Sequence, residues 1–166
     1  MLPLHLCDVT VWLTAYAALR RSVRAFGVAY YWGLAGTTMA LLTPDVQGLS
    51  WNYPTVQFFV SHGLVVSTLL AMAVSGVVSI DRRSWWRALF VLHAYALAVA
   101  AFNVLFGTNY LYLKSKPSGS TLLDLFGPWP WYLLIADAAG AVLFYLLWLP
   151  FARQHPAAPK PDGASH

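Results

Sequence analysis

Five stretches of apolar residues alternate with short polar breaks along the chain. The first runs from Leu2 to Leu19 and stops at Arg20-Arg21, and the second runs from Phe26 to Leu42 and stops before Pro44. The third, Val56 to Ile80, ends at Asp81-Arg82-Arg83. The fourth, Trp85 to Phe106, ends at Gly107, and the fifth runs from Pro130 to Phe151. Each run is apolar all round rather than on one stripe, the pattern of a helix whose solvent is lipid. A span takes about 17–25 residues, and all five reach that range, the first only just. The pattern predicts an all-α polytopic membrane helix bundle of about five transmembrane helices over residues 1–153. The tail, 154–166, is rich in Pro, Ala and Gly and reads as a disordered cytoplasmic end.

The breaks between runs set an orientation. Arg20, Arg21 and Arg24 fill the first, Arg82, Arg83 and Arg87 the third, and Arg153 and Lys160 follow the last run. The second break, Thr43 to Pro54, has no basic residue, and the fourth has only Lys114 and Lys116. Basic residues therefore alternate between sides, and the positive-inside rule puts the first residue outside and the C-terminus in the cytoplasm. Trp51, Tyr53, Trp85, Trp86, Trp129, Trp131 and Tyr132 stand at the ends of runs, where an aromatic belt belongs. In the long outer loop from Thr108 to Trp129, Ser120-Thr121 precedes Asp124 and Gly127. That is a cap, an acid three residues on and a terminator, which predicts one short surface helix acting as a lid.

Composition narrows the function classes. The chain is 59% hydrophobic and only 10% charged, against about a quarter charged in soluble domains. The net charge of +4 comes in clusters between spans, which argues for orientation in a bilayer and against nucleic acid. The single cysteine, Cys7, excludes an internal disulfide. No signal-peptide pattern follows Met1. No His-x-x-x-His spacing or other metal pattern is present, and no cofactor is expected. A lipid of the surrounding bilayer is the expected partner, with a membrane-protein partner or a second copy of the chain left open.

Polar groups inside the runs are costly and tend to face a bundle interior. With a rise of 1.5 Å per residue, Cys7, Thr38, His62 and Asp137 each fall ~10 Å below the outer surface of a core about 30 Å thick. Asn103 lies slightly nearer the outside, and His93 near mid-membrane. Five runs thus each offer a polar group at one level, which suggests a pocket. The same groups would also serve as interhelical hydrogen bonds.

Helical spacing divides the first run. His5, Asp8 and Trp12 share one face, and Cys7 shares another with Thr10 and Thr14. A base for the Cys7 thiol would have to come from a different helix, and His62 matches it in depth, with Asp137 or Asn103 to orient the ring. A lone buried cysteine also serves as an inert small hydrophobe, and His62 equally as an interhelical donor. Lys114 and Lys116 read as a solvated pair or as contacts for lipid phosphate. His5, Thr38, Asn109 and Tyr110 complete the candidate substrate contacts.

Several strings occur together in order: Leu2-Pro-Leu-His-Leu-Cys7, Tyr31-Trp-Gly-Leu-Ala-Gly36, Ala40-Leu-Leu-Thr-Pro-Asp45, Phe58-Phe59 with His62-Gly63, Asn109-Tyr-Leu-Tyr-Leu with Lys116-Pro117, and Gly127-Pro-Trp-Pro-Trp-Tyr132. The set resembles the YwaF family of bacterial integral membrane proteins across nearly the whole chain before the tail. The resemblance implies a bacterial cytoplasmic membrane location. It also implies an N-terminally short member, because relatives carry further apolar sequence before the first string. The family is similar, more distantly, to a eukaryotic acyltransferase acting on ether phospholipids through a Cys and a His. That likeness implies acyl transfer or hydrolysis on a membrane lipid, with Cys7 as nucleophile and His62 as base. The residues alone leave a second class open, a non-enzymatic carrier or binding module with Asp137, His62 and His93 as proton-linked groups, and a third, a structural membrane partner.

Overall fold

The computed structural model describes residues 2–42, 44, 51–81, 83–117 and 121–152. The expected disordered tail, most of the second break and the hydroxyl of Ser120 lie outside the described residues. Where the chain is described it is all helix and connection. Helix α1 spans Leu6–Arg20 and α2 spans Val23–Tyr31. A π-helical stretch, Trp32–Thr37, follows directly and passes into α3, Thr38–Leu42. Helix α4 is Tyr53–Val74, α5 is Ser84–Phe106 and α6 is Trp131–Ala152.

The ends follow local chemistry. Arg21 takes a left-handed conformation (φ 48°) and stops α1. The Ser22 hydroxyl then accepts from the Ala25 N–H to start α2, so the first two helices form a tight antiparallel hairpin. Asn52 caps α4 through the Thr55 N–H at 3.0 Å, with Pro54 in the first turn. Gly107 (φ 67°) ends α5 where the sequence places a terminator. The third run stops earlier than its apolar content suggests. Helix α4 ends at Val74, and Gly76 (φ 66°) turns the chain so that Val78 and Ile80 tuck into the core as a turn. The short element expected in the loop between α5 and α6 forms as a 3-10 turn, Leu122–Phe126, with the Asp124 carboxylate accepting from the Thr121 N–H at 2.9 Å.

Helices α4, α5 and α6 are each long and apolar enough to cross a membrane. Helix α1 has 15 residues, a length of about 22 Å, and lies against α2 and α4. Small residues let the first helices approach closely: Ala17, Ala25 and Ala29 are buried. Tyr31 is fully buried at the centre, its ring against Tyr30 and Phe144. Its hydroxyl donates to Ser84 Oγ (2.8 Å), because Ser84 spends its own proton on the Asp81 carbonyl. Trp32 Nε1 donates to the Ala88 carbonyl at 3.1 Å and ties the π-helical stretch to α5. Large apolar side chains such as Trp12, Leu97 and Val104 point outward, as they do where hydrocarbon surrounds the bundle.

Candidate functional site

Gly33 is the junction on which the candidate site rests. A Cβ there would lie 2.3 Å from Leu69 Cδ1, 3.1 Å from Val65 Cγ1 and 3.3 Å from Thr10 Cγ2, so α1, the π-helical stretch and α4 meet at this one residue. Insertions of π-helix into α-helices recur at functional sites. Cys7 is three residues before Thr10 on one helix, and His62 is three before Val65 on the other. Each therefore sits one turn before the junction on its own helix, on the face of the residue that touches it. Gly36, one turn along the π-helical stretch, approaches Leu6, its Cβ position 3.4 Å from Leu6 Cδ2.

His62 is 8% exposed. Its Nδ1 lies 2.7 Å from the Phe58 carbonyl, and its ring stacks on Phe58 at a centroid distance of 4.0 Å. A carbonyl only accepts, so Nδ1 carries a proton, and the one neutral tautomer this allows has its lone pair on Nε2. That Nε2 is buried and has no hydrogen-bond partner. Cys7 is a half-buried free thiol.

The loop between α5 and α6 docks onto the start of α1, ahead of Cys7. The His5 ring packs on Tyr110 and Tyr112 at 5.3 and 5.4 Å. The Leu2 N–H donates to the Tyr110 hydroxyl, and the Tyr95 hydroxyl donates to the Leu4 carbonyl, each at 2.9 Å. Asn103 holds this loop. Its Nδ2 donates to the Tyr110 carbonyl, and its Oδ1 accepts from the Tyr110 N–H and the Thr108 hydroxyl, all at 2.8 Å. Lys114 Nζ donates to the Asn103 carbonyl at 2.6 Å. Asn109 accepts from the Lys114 N–H and donates to Ser115. Lys116 lies 3.5 Å from Asp124 and over the Tyr132 ring. The candidate lipid contacts Asn109, Tyr110, Lys114 and Lys116 are thus also the parts that brace the loop. Thr38 is half-buried at the start of α3, whereas its neighbour Thr37, which sequence reasoning passed over, is the buried one.

Two expected partners of His62 are directed elsewhere. Asp137 meets His93, whose Nε2 lies 3.1 Å from Oδ1 and 3.2 Å from Oδ2 across α5 and α6, with both side chains about half exposed. Asn103 commits its whole amide to the loop. Depth alone grouped these residues, but the helical faces separate them. The group that orients the His62 ring is the backbone carbonyl of Phe58, one helical turn earlier.

The model of the TMEM164 family matches residues 1–148. The chain belongs to the TMEM164 family. This is a membrane protein family, in keeping with the three long apolar helices. No curated protein and no solved structure matches the chain. The familial match covers every candidate site residue, from His5 to Asp137. Two cavities open at the opposite, arginine-rich end of the bundle, and neither is lined by Cys7 or His62.

Proposed function

We propose that this TMEM164-family protein transfers or hydrolyses acyl groups on a membrane phospholipid, with Cys7 as nucleophile and His62 as base. The observation that carries this reading is the buried, unpartnered Nε2 of His62, which holds a lone pair one turn from the junction that Cys7 also flanks. In the first step Nε2 accepts the Cys7 thiol proton as the thiolate sulfur adds to an ester carbonyl. The tetrahedral intermediate collapses to an acyl-thioester, and the proton on Nε2 passes to the departing lipid alkoxide. In the second step Nε2 takes the proton of an acceptor hydroxyl, from a lysophospholipid or water, as that oxygen attacks the thioester, and returns it to the departing Cys7 sulfur to restore the thiol. The Phe58 carbonyl keeps the ring turned throughout. The docked loop of His5, Tyr110 and Tyr112 caps the site, and Lys114 and Lys116 contact lipid phosphate once the loop yields. In this reading the site lies in the outer leaflet of a bacterial cytoplasmic membrane, with the first residue outside.

The test is acyl exchange in reconstituted vesicles holding an ester phospholipid and a lysophospholipid acceptor. The wild type transfers the chain and accumulates a hydroxylamine-sensitive adduct that Cys7→Ser and His62→Ala abolish. Exchange that survives both substitutions would overturn the reading. The His93–Asp137 pair favours a second reading, a proton-linked carrier. Here Asp137→Asn would abolish proton-coupled flux and leave any thioester chemistry intact.

A further inference from the structure

The first turns of α2 and α5 start side by side at the arginine-rich end of the bundle, and a cleft of about 180 Å³ opens between them. Arg24 and Arg87, Gly27 and Ser84, and Val23, Val28 and Val91 line it. The two helices are in contact here, since a Cβ on Gly27 would lie 3.7 Å from Ser84 Cβ. Arg87 spends two donors locally, on Asp81 Oδ2 (2.7 Å) and on the Arg83 carbonyl (3.2 Å). A guanidinium has five N–H donors, so three remain. Arg24 is exposed and makes no ion pair among the described residues. With Asp81 offsetting one arginine, the cleft keeps one net positive charge, and two helix N-termini add their partial positive charge to it. Val23 and Val91 leave their apolar sides partly exposed beside the arginines.

We propose that this cleft binds a phosphate group, carried by an anionic phospholipid whose acyl chain lies along Val23 and Val91. A singly charged phosphodiester matches the net charge of the cleft, and planar guanidinium forks match phosphate oxygens. The valines give a hydrocarbon chain a surface that a free phosphate ion does not use. Basic pockets between membrane helices on the cytoplasmic side recognise such headgroups. The arginines also serve to orient the chain, but orientation depends on the number of basic residues and not on a cleft, so the two roles separate experimentally.

The full chain is reconstituted in phosphatidylcholine bilayers containing a minor fraction of phosphatidylglycerol, and the lipid retained after gentle extraction is measured by native mass spectrometry. The wild type retains phosphatidylglycerol above its bulk fraction. Arg24→Gln lowers that enrichment about fivefold, and Arg24→Gln with Arg87→Gln removes it. Val91→Trp fills the cleft from its exposed side without changing any charge, and it too removes the enrichment while thermal unfolding stays at the wild-type value. Arg20→Gln, at the same end but outside the cleft, leaves the enrichment in place. Wild-type enrichment in both Arg24→Gln and Val91→Trp overturns the site. A loss in Arg20→Gln equal to that in Arg24→Gln overturns it in favour of diffuse attraction. Excess inorganic phosphate leaves the enrichment unchanged, and its displacement of the lipid would reassign the cleft to the free ion.

Discussion

Replacing Gly33 by alanine tests the junction beneath the candidate site. In an unconstrained helix the change would be favourable by about 1 kcal/mol. Here the added methyl would lie 2.3 Å from Leu69 Cδ1 and within 3.3 Å of both Val65 and Thr10. Leu69 is 0% exposed, so its methyl must move into packed neighbours. Overpacking of this kind costs about 1–3 kcal/mol. Set against the propensity gain, the net loss is about 0–2 kcal/mol. Leu69→Ala removes the opposing methyl and alone costs about 2–5 kcal/mol. The double variant is then less destabilised than the two losses together, by a coupling of about 1–2 kcal/mol. Unfolding in mixed micelles of graded denaturing detergent, followed by far-ultraviolet circular dichroism, measures all four stabilities. If the losses add within about 0.5 kcal/mol, the three elements do not meet at this residue. The register of Cys7 and His62 built on that junction then fails with it.

Asn103→Ala leaves the Tyr110 N–H and carbonyl unpaired in a buried place, at a cost of about 2–3 kcal/mol. Its signature is faster amide exchange and proteolysis confined to residues 107–115. Trp32→Phe keeps the ring packed on Tyr95 but removes the Nε1 donation to the Ala88 carbonyl, lowering stability by about 1 kcal/mol without changing Cys7 alkylation. Asp137→Asn alters a half-exposed pair and changes stability in detergent by less than about 1 kcal/mol. Acyl exchange is unaffected, and a large loss of exchange would return Asp137 to the neighbourhood of His62.

Much of the fold is legible because lipid imposes a simple rule. A segment apolar on all sides must satisfy its backbone internally, so the five runs map onto helices with only local errors. Those errors arise where backbone geometry overrides composition. The third run stays apolar through Ile80, yet Ser75-Gly76 ends α4 at Val74 and folds the remaining apolar residues under the bundle. The π-helical stretch leaves no compositional signature, because a shift in hydrogen-bond register changes no residue type. The pair Gly33 and Gly36 hints at close approach, but not at which helices approach. Depth along the membrane was similarly readable and rotation about each helix was not. Cys7 and His62 fall on faces that meet one junction, whereas Asp137, at comparable depth, turns outward to His93. The loop between α5 and α6, whose sequence suggests lipid contacts, instead has its backbone held by Asn109 and Asn103.

The two membrane histidines share one local feature and differ in another, and that difference separates their chemistry. Each directs Nδ1 at the carbonyl four residues earlier, His62 at Phe58 (2.7 Å) and His93 at Leu89 (2.8 Å). A histidine on a helix makes this contact by rotamer alone, so it identifies no function. The second nitrogen distinguishes them. Nε2 of His93 faces the Asp137 carboxylate, which gives the ring an acceptor on both sides, the arrangement of an imidazolium. Nε2 of His62 is buried and faces no partner among the described residues, so only its Nδ1 has an acceptor. Nitrogen NMR of histidine-labelled protein in bilayers at neutral pH reads this directly. His93 should show two protonated nitrogens, and His62 one protonated Nδ1 and one bare Nε2. Asp137→Asn should shift the His93 signals and leave those of His62 alone. A His62 ring protonated on Nε2 would have no lone pair to accept the Cys7 proton, and the proposed base would be lost whatever the position of the thiol.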